Sequence, residues 1–279
     1  MNRGYRIAVL PVLVIIGIFG QAITIKVFFR LANWKATCKI YYSTMAIVDL
    51  AYLFAFGIPE WTGEGLDYLT NGILIFKPEN FHIFLCRCFR FIWHVTSFAS
   101  YWTLVMYSVE RIIAISNPFL AIKLVTIRTA KIACSTICLF AVLSFSPIIY
   151  TDVYLLLGHD EEIPIENRYC FPNGEALQQI YLFSMTLGLT LLLPPIILVI
   201  TSVVLIKKLI VISEERKKLR RIAHASGKNQ SVKSQEVKNS EDLLIISIIT
   251  LVIALPTMFW IPTVITYCKL NFPPLKAHP

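Results

Sequence analysis

The sequence predicts an all-α membrane protein, a bundle of transmembrane helices. Hydrophobic residues make up 56% of the 279 residues and charged residues only 15%, which is more apolar than a soluble domain of this length requires. The apolar residues are gathered into six runs of about 20 residues or more, the length of a helix that crosses a bilayer. Backbone groups in lipid need hydrogen-bond partners within their own segment, so these runs should be helices rather than open strands.

We treat residues 1–279 as a single transmembrane domain. Its six predicted spans are about 7–29, 40–59, 83–114, 129–150, 177–206 and 243–267. The first follows Arg3 and Arg6 as a signal peptide would, but it is too long and has no clear cleavage site, so we interpret it as an uncleaved span. The third and fifth are long enough to tilt or to project beyond the hydrocarbon. The polar stretch 213–241 should be helical near 213–222 and then form a flexible loop.

Charged residues in the loops orient the bundle. The loops after spans one, three and five are basic, and the last of them carries ten lysines and arginines between Lys207 and Lys238. The loops after spans two and four are acidic, with Lys77 and Arg168 as their single basic residues. By the positive-inside rule the basic loops face the cytoplasm, which predicts a multi-pass plasma-membrane protein with an extracellular N-terminus. We therefore expect the net charge of +9 to favour contacts with the lipid bilayer and with cytoplasmic partners, and not with nucleic acid.

Two of the seven cysteines stand apart from the others. Cys86 and Cys170 fall on the predicted outer side, where disulfides persist. Cys88 is a poorer candidate because it lies about 200° around the helix from Cys86. The remaining cysteines lie in or near spans, where a thiol is usually a small core residue. No Cys or His pair follows at a zinc-like spacing, so no metal site is predicted from the cysteines.

A few charged residues interrupt the apolar spans. Arg111 lies near the cytoplasmic end of span three, where a charge costs several kcal/mol unless it is solvated or paired. Glu110 is adjacent and can pair with it, and on the same side of the membrane Asp242 starts span six, with Glu241 preceding it. Asp49 is a lone carboxylate within span two, which by default suggests a functional site.

Five short motifs occur in order along the chain. They are MAIVDL at 45–50, Cys86 placed 25 residues before Arg111, the Glu110-Arg111 pair with trailing Pro118, Pro194 in span five, and FWIP at 259–262. Their order and spacing resemble those of the rhodopsin-like (class A) G-protein-coupled receptors, and within that family the invertebrate neuropeptide receptors. The match covers about residues 17–267. The resemblance implies the seven-helix receptor bundle, with six spans present in this chain.

The chain also departs from the family's pattern. Gln21 stands where the first span usually has Asn, Ile112 replaces the usual aromatic, and Ser202 replaces the usual fifth-span Tyr. The fourth span lacks its usual Trp. No seventh apolar run and no Asn-Pro-x-x-Tyr motif precede Pro279. We therefore expect either a truncated receptor or a protein with six spans.

The resemblance implies a switch at the cytoplasmic end of the bundle. Arg111 would contact Asp242 in the inactive receptor, and loss of that contact would accompany outward movement of span six and open a pocket for a heterotrimeric G protein. The alternative is that Glu241 and Asp242 only complement the helix dipole. In that case Arg111 only extends to the lipid headgroups.

A second implied site surrounds Asp49. By family position Ser100 is its neighbour, and the two would bind an allosteric sodium ion that stabilises the inactive state. The seventh-span Asn that normally contributes is absent, and Gln21 replaces an Asn. The alternative is a protonated Asp49 that is hydrogen-bonded between helices. No other metal or cofactor is expected.

The resemblance also implies a ligand pocket in the outer half of the bundle. Trp93, Ser97 and Tyr101 would line it and Trp260 would form its floor, although Trp260 is alternatively a packing or interfacial residue. Trp93 occupies the position where amine receptors carry Asp, which argues against an amine ligand. The acidic outer loops attract cations, so we expect an extracellular peptide ligand, a basic or amidated neuropeptide.

Two further features belong to the implied receptor. Pro194 and Pro262 would act as hinges because proline removes a backbone hydrogen bond and kinks a helix. A disulfide between Cys86 and Cys170 would tie the second outer loop over the pocket.

Other protein classes fit less well. The five histidines show no metal-ligand spacing, and no Ser-His-Asp order or Gly-rich phosphate loop is evident, which argues against an enzyme. A transporter would require repeats or several intramembrane charges, and only Asp49 is well inside a span. The alternative that stays open is a non-signalling six-span receptor fragment or decoy.

Overall fold

The described residues form mostly long helices. A computed structural model describes residues 10–30, 36–65, 70, 82–150, 152–155, 170–173, 181 and 184–225. The helices are α1 (Leu10–Arg30), α2 (Ala36–Tyr52), α3 (Ile83–Ser116), α4 (Pro118–Leu124), α5 (Ile127–Phe145) and α6 (Leu193–Ala225), with a further helical turn at Pro147–Tyr150. Span six, predicted over 243–267, lies outside the described residues.

Several of the described helices have the length and composition of membrane spans. Three helical stretches are long and apolar enough to cross a bilayer, namely Thr37–Gly63, Ile127–Ile149 and Met185–Ile212, and Pro11–Val27 is apolar but shorter. Large apolar side chains project outward from them, such as Ile16 and Phe19 on α1 and Leu143 on α5. Exposed apolar surface of this extent marks contact with lipid or protein. The predicted all-α membrane architecture is confirmed.

The second span is longer than predicted because its α-helix continues in π-helical form instead of ending. After α2 the chain continues through π-helical turns at Leu53–Gly57 and Trp61–Gly65, with Ile58–Glu60 α-helical between them. This segment packs closely on α1. A Cβ atom on Gly17 would lie 2.9 Å from Leu53 Cδ1, and one on Gly57 would lie 3.1 Å from Val14 Cγ2. Small residues at these two points let the backbones approach, as is common between membrane helices.

Side-chain caps set the boundaries between α3, α4 and α5. Asn117 is extended, with φ −143° and ψ 90°, and its side chain accepts a hydrogen bond from the Leu120 N–H at 3.2 Å. Pro118 then occupies the first turn of α4, where its missing N–H costs nothing. Thr126 caps α5 in the same way by accepting from the Thr129 N–H at 3.2 Å. This cap explains why α5 begins two residues before the predicted 129.

A cluster of aromatic and small residues joins α3 to α5. Phe98, Ala141, Phe145 and Ile148 are buried together, and Trp102 packs against them. The Phe98 and Phe145 rings meet edge to face, with centroids 6.0 Å apart, a favourable arrangement for an aromatic pair. Ala141 leaves room for these rings, so the cluster fixes α3 against α5.

One short β-ladder accompanies the helices. Strands β1 (Asp152–Leu155) and β2 (Cys170–Asn173) pair in antiparallel register, with Leu155 opposite Cys170. The ladder lies in the predicted outer loop after span four. It satisfies backbone groups there without changing the helical class of the protein.

The described part of the fifth span contains a π-helical segment, and its helix ends far beyond the predicted 206. Met185–Leu192 is π-helical, and α6 then runs from Leu193 to Ala225, through the stretch 213–222 that was predicted to be helical. The chain divides into two compact units, residues 1–104 with 126–190 and residues 105–125 with 191–279. The first contains Asp49 and the ligand-pocket residues of α3, and the second contains Glu110 and Arg111.

Candidate functional site

Three helices of the first unit meet at the carboxylate of Asp49. Ser100 Oγ on α3 donates to Asp49 Oδ1 at 2.6 Å, as the predicted pairing of these residues requires. Gln21 Nε2 on α1 donates to Asp49 Oδ2 at 3.0 Å. Sequence reasoning treated Gln21 as a lost ligand, whereas its longer side chain brings the amide to the carboxylate. Both carboxylate oxygens therefore accept a hydrogen bond within the protein.

The described residues fit a sodium ion less well than the resemblance implies. They supply one carboxylate and one hydroxyl, while Gln21 turns an NH₂ donor toward Asp49. A donor at that position repels a cation, because hard cations take oxygen ligands. No group of three or more His, Cys, Asp or Glu side chains that could hold a metal ion occurs in the part of the chain that the structure describes. The geometry favours an internally paired carboxylate.

The predicted ligand-pocket residues of α3 share one face of the helix. Trp93, Ser97 and Tyr101 are spaced four residues apart, which places them on successive turns of the same side. The Phe56 ring stacks on Trp93 with centroids 4.8 Å apart and an interplanar angle of 18°. Ser97 Oγ donates to the Trp93 carbonyl oxygen at 2.8 Å, so its hydroxyl proton is used within α3. Trp260 lies outside the described residues.

Trp102 makes a contact that the sequence did not suggest. Its indole Nε1–H donates to the carbonyl oxygen of Leu189 at 2.9 Å, in the π-helical part of the fifth span. In π-helical register that carbonyl would accept from residue 194. Pro194 has no N–H to donate, so the Trp102 indole offers this carbonyl a donor that residue 194 cannot provide. The sequence signals were a tryptophan within a span, which needs an acceptor when buried, and the Pro194-Pro195 pair.

In the second unit, α3 carries a buried charged pair. Arg111 Nη2 donates to Glu110 Oε1 at 2.8 Å, and the two residues are 4% and 8% exposed. This is the local pairing predicted for Arg111. The ring of Tyr107 lies beside the same guanidinium. Asp242, the predicted partner on span six, lies outside the described residues.

The helix that follows this pair is exposed and apolar. On α4, Phe119 is 82% exposed and Ile122 is 78% exposed, and Leu120 and Leu124 are also exposed. Four such side chains within one short helix form a surface that suits a membrane or a protein partner. Sequence reasoning recorded Pro118 and the basic Lys123 in this segment, but not its exposed apolar side chains.

One of the two outer cysteines is bonded. Cys86 is disulfide-bonded, whereas Cys38, Cys88, Cys134 and Cys138 are not part of a disulfide. The choice of Cys86 over Cys88 therefore agrees with the structure. Cys170 opens β2, but its side chain lies outside those described, so the pairing of Cys86 with Cys170 stays a prediction.

Comparison with known proteins agrees with this architecture. The sequence profile of the 7 transmembrane receptor (rhodopsin family) matches residues 20–278. The chain is 27% identical over 167 residues to the pig (Sus scrofa) cysteinyl leukotriene receptor 1, covering 60% of this chain and 44% of that receptor. It is 28% identical over 155 residues to the Rattus norvegicus somatostatin receptor type 5, covering 54% and 40% respectively.

A third relative gives a similar result. The Homo sapiens growth hormone secretagogue receptor type 1 is 29% identical over 169 residues, which cover 60% of this chain and 42% of that receptor. The chain thus spans less than half the length of the curated relatives that it matches. The family profile, however, covers nearly the whole chain, and three of the described helical stretches have the length that a membrane span requires. The chain is a multi-pass membrane protein and belongs to the rhodopsin family of seven-transmembrane receptors.

Proposed function

We propose that the protein is a plasma-membrane receptor that binds an extracellular peptide and activates a heterotrimeric G protein. The observation that carries this proposal is the buried Arg111–Glu110 pair at the predicted cytoplasmic end of α3. A charged residue inside a span is costly and usually functional. Here Glu110 offsets the free-energy cost of burying the Arg111 charge. The arginine side chain can therefore stay charged inside the protein without being exposed to lipid.

The switch would act through a second acidic residue. A buried ion pair contributes little net stability against an apolar replacement, which favours a regulatory role for Arg111 over a structural one. We propose that Asp242 contacts Arg111 in the inactive state and releases it when the sixth span moves outward. A proline hinge at Pro262, together with the hinge at Pro194 just after the π-helical Met185–Leu192, would permit that movement.

The exposed apolar face of α4 supports a cytoplasmic protein partner. Phe119 and Ile122 lie within 11 residues of Arg111 in the same unit, and both are more than three-quarters exposed. The basic residues of the flanking loops would prefer an acidic or membrane-bound surface. A G protein at the inner membrane surface provides such a surface together with an apolar contact.

The ligand is proposed from the aromatic face of α3. Trp93, Tyr101 and the stacked Phe56 offer flat apolar contacts, and the predicted outer loops are acidic. This combination suits a basic or amidated peptide with aromatic or apolar side chains. The relatives' names specify cysteinyl leukotriene, somatostatin and growth hormone secretagogue, so similarity alone selects no single ligand. A disulfide from Cys86 to Cys170 would hold the outer loop near this face.

Removing Asp242 tests the proposed switch. We expect Asp242→Ala to raise ligand-free signalling, because Arg111 loses the partner that retains it in the inactive state. The measurement is G-protein nucleotide exchange in membranes that express each variant at matched surface levels, with Glu241→Ala as the neighbouring control.

Unchanged basal exchange in Asp242→Ala at normal surface expression would refute the assigned switch. A peptide that binds the chain without stimulating exchange in any variant would support the alternative of a non-signalling receptor or decoy.

A further inference from the structure

The ring of Tyr107 lies against the guanidinium of Arg111. Tyr107 precedes Arg111 by four residues, so both side chains lie on the same face of α3. The Arg111 Cζ atom is 4.8 Å from the centre of the Tyr107 ring. Tyr107 is 1% exposed and Arg111 is 4% exposed. This geometry is that of a cation–π interaction, which is strongest where water is excluded.

The buried guanidinium contacts two groups of different chemistry, a carboxylate and an aromatic ring. Glu110 accepts a hydrogen bond from Arg111 Nη2 at 2.8 Å and neutralises the charge. The Tyr107 ring adds attraction through its negatively polarised face without adding a further charge. An aliphatic side chain at position 107 would fill the volume but would offer the cation no electrostatic partner.

We propose that Tyr107 is a positioning residue that holds Arg111 in its buried, Glu110-paired arrangement. The clamp formed by Tyr107 and Glu110 is a property of the inner half of α3 and requires no bound ligand. Its consequence for signalling rests on the proposed function: Tyr107 sets how readily Arg111 is released toward a G protein. Replacing the ring should therefore free Arg111 even when Glu110 and Asp242 are intact.

The reactivity of Arg111 tests the clamp directly. Membranes that contain the ligand-free protein are treated with phenylglyoxal, a dicarbonyl reagent selective for arginine, and the modification rate of Arg111 is measured by mass spectrometry. Arg87, near the opposite end of α3, serves as the internal reference. In Tyr107→Leu we expect the Arg111 rate to rise about 5- to 30-fold, the equilibrium factor that a desolvated cation–π contact provides.

Variants at position 107 separate ring electrostatics from packing. Tyr107→Phe keeps the ring face, so Arg111 should react within about twofold of the wild-type rate, since the cation–π attraction depends on the ring rather than the hydroxyl. Tyr107→Met, a flexible apolar replacement, takes the place of Tyr107→Leu if the latter does not reach the membrane. A wild-type Arg111 rate in the Leu and Met variants would overturn the proposal. Equal acceleration in the Phe and Leu variants would also overturn it.

A second measurement distinguishes the clamp from receptor function. Ligand-free G-protein nucleotide exchange should rise several-fold in Tyr107→Leu but not in Tyr107→Phe. If Arg111 reacts faster while no variant, including Asp242→Ala, stimulates exchange, the clamp is upheld and the proposed function fails. If Asp242→Ala stimulates exchange while Tyr107→Leu changes neither measurement, the function is upheld and the clamp fails.

Discussion

Replacing Trp102 by Phe should destabilise the protein by an amount that the structure allows us to estimate. The change keeps an aromatic ring beside Phe98 but removes the N–H that donates to the Leu189 carbonyl oxygen at 2.9 Å. Pro194 cannot supply a substitute donor. Losing one such bond and leaving the carbonyl unpaired costs about 1–2 kcal/mol, which corresponds to a fall of about 2–6 °C in Tm for a chain of this size.

A matched tryptophan separates the hydrogen bond from the lost volume. The Trp61 indole N–H is buried and has no partner among the described residues, so Trp61→Phe removes similar atoms without breaking a bond. The assay is the apparent Tm of the detergent-solubilised protein for both variants. We expect Trp102→Phe to fall at least about 2 °C below Trp61→Phe, for the hydrogen-bond cost given above. Equal Tm values would refute the claim that Trp102 compensates for the proline.

Two further substitutions test the packing of α1. Gln21→Ala should lower the free energy of unfolding by about 1–2 kcal/mol, because one oxygen of the half-buried Asp49 loses its donor; Tm of the solubilised protein measures this, and a wild-type Tm would contradict the pairing. Gly57→Leu should cost about 1–3 kcal/mol by overpacking against Val14. Gly20→Leu is its control, since a Cβ atom there meets nothing within 4 Å, and equal surface expression of the two leucine variants would contradict the close helix approach.

Hydropathy was sufficient to predict the helical class of the protein. The thickness of the bilayer sets the length of an apolar run, so a membrane-spanning helix can be recognised from the sequence alone. The caps at Asn117 and Thr126 also have recognisable residue types. The extents of the second and fifth spans were harder to predict. The second continues beyond the predicted 59 through a π-helical turn that contains Glu64, and α6 continues beyond the predicted 206 through a polar segment, so hydropathy does not mark the end of either helix.

Site residues could be predicted where the residue type alone is unusual for its position in a span. They were missed where their role depends on the three-dimensional arrangement of the helices. A lone Asp49 and a buried Arg111 stand out in any apolar run, and Glu110 could be paired with Arg111 from adjacency. Gln21 was underestimated because only the relative placement of α1 and α2 shows that its amide reaches Asp49. Tyr107 and Trp102 resemble ordinary core aromatics in the sequence, and their roles depend on a partner's orientation.

The orientation of the basic segment at the end of α6 tests the central claim most directly. Lys218 is exposed and should face the cytoplasm, whereas Lys77 should lie outside the cell. Cells that express the protein are treated with a membrane-impermeant amine reagent before or after permeabilisation, and labelled lysines are identified by mass spectrometry. We predict that Lys77 is labelled in intact cells and Lys218 only after permeabilisation. Labelling of Lys218 in intact cells would place Arg111 and α4 away from any G protein and contradict the account.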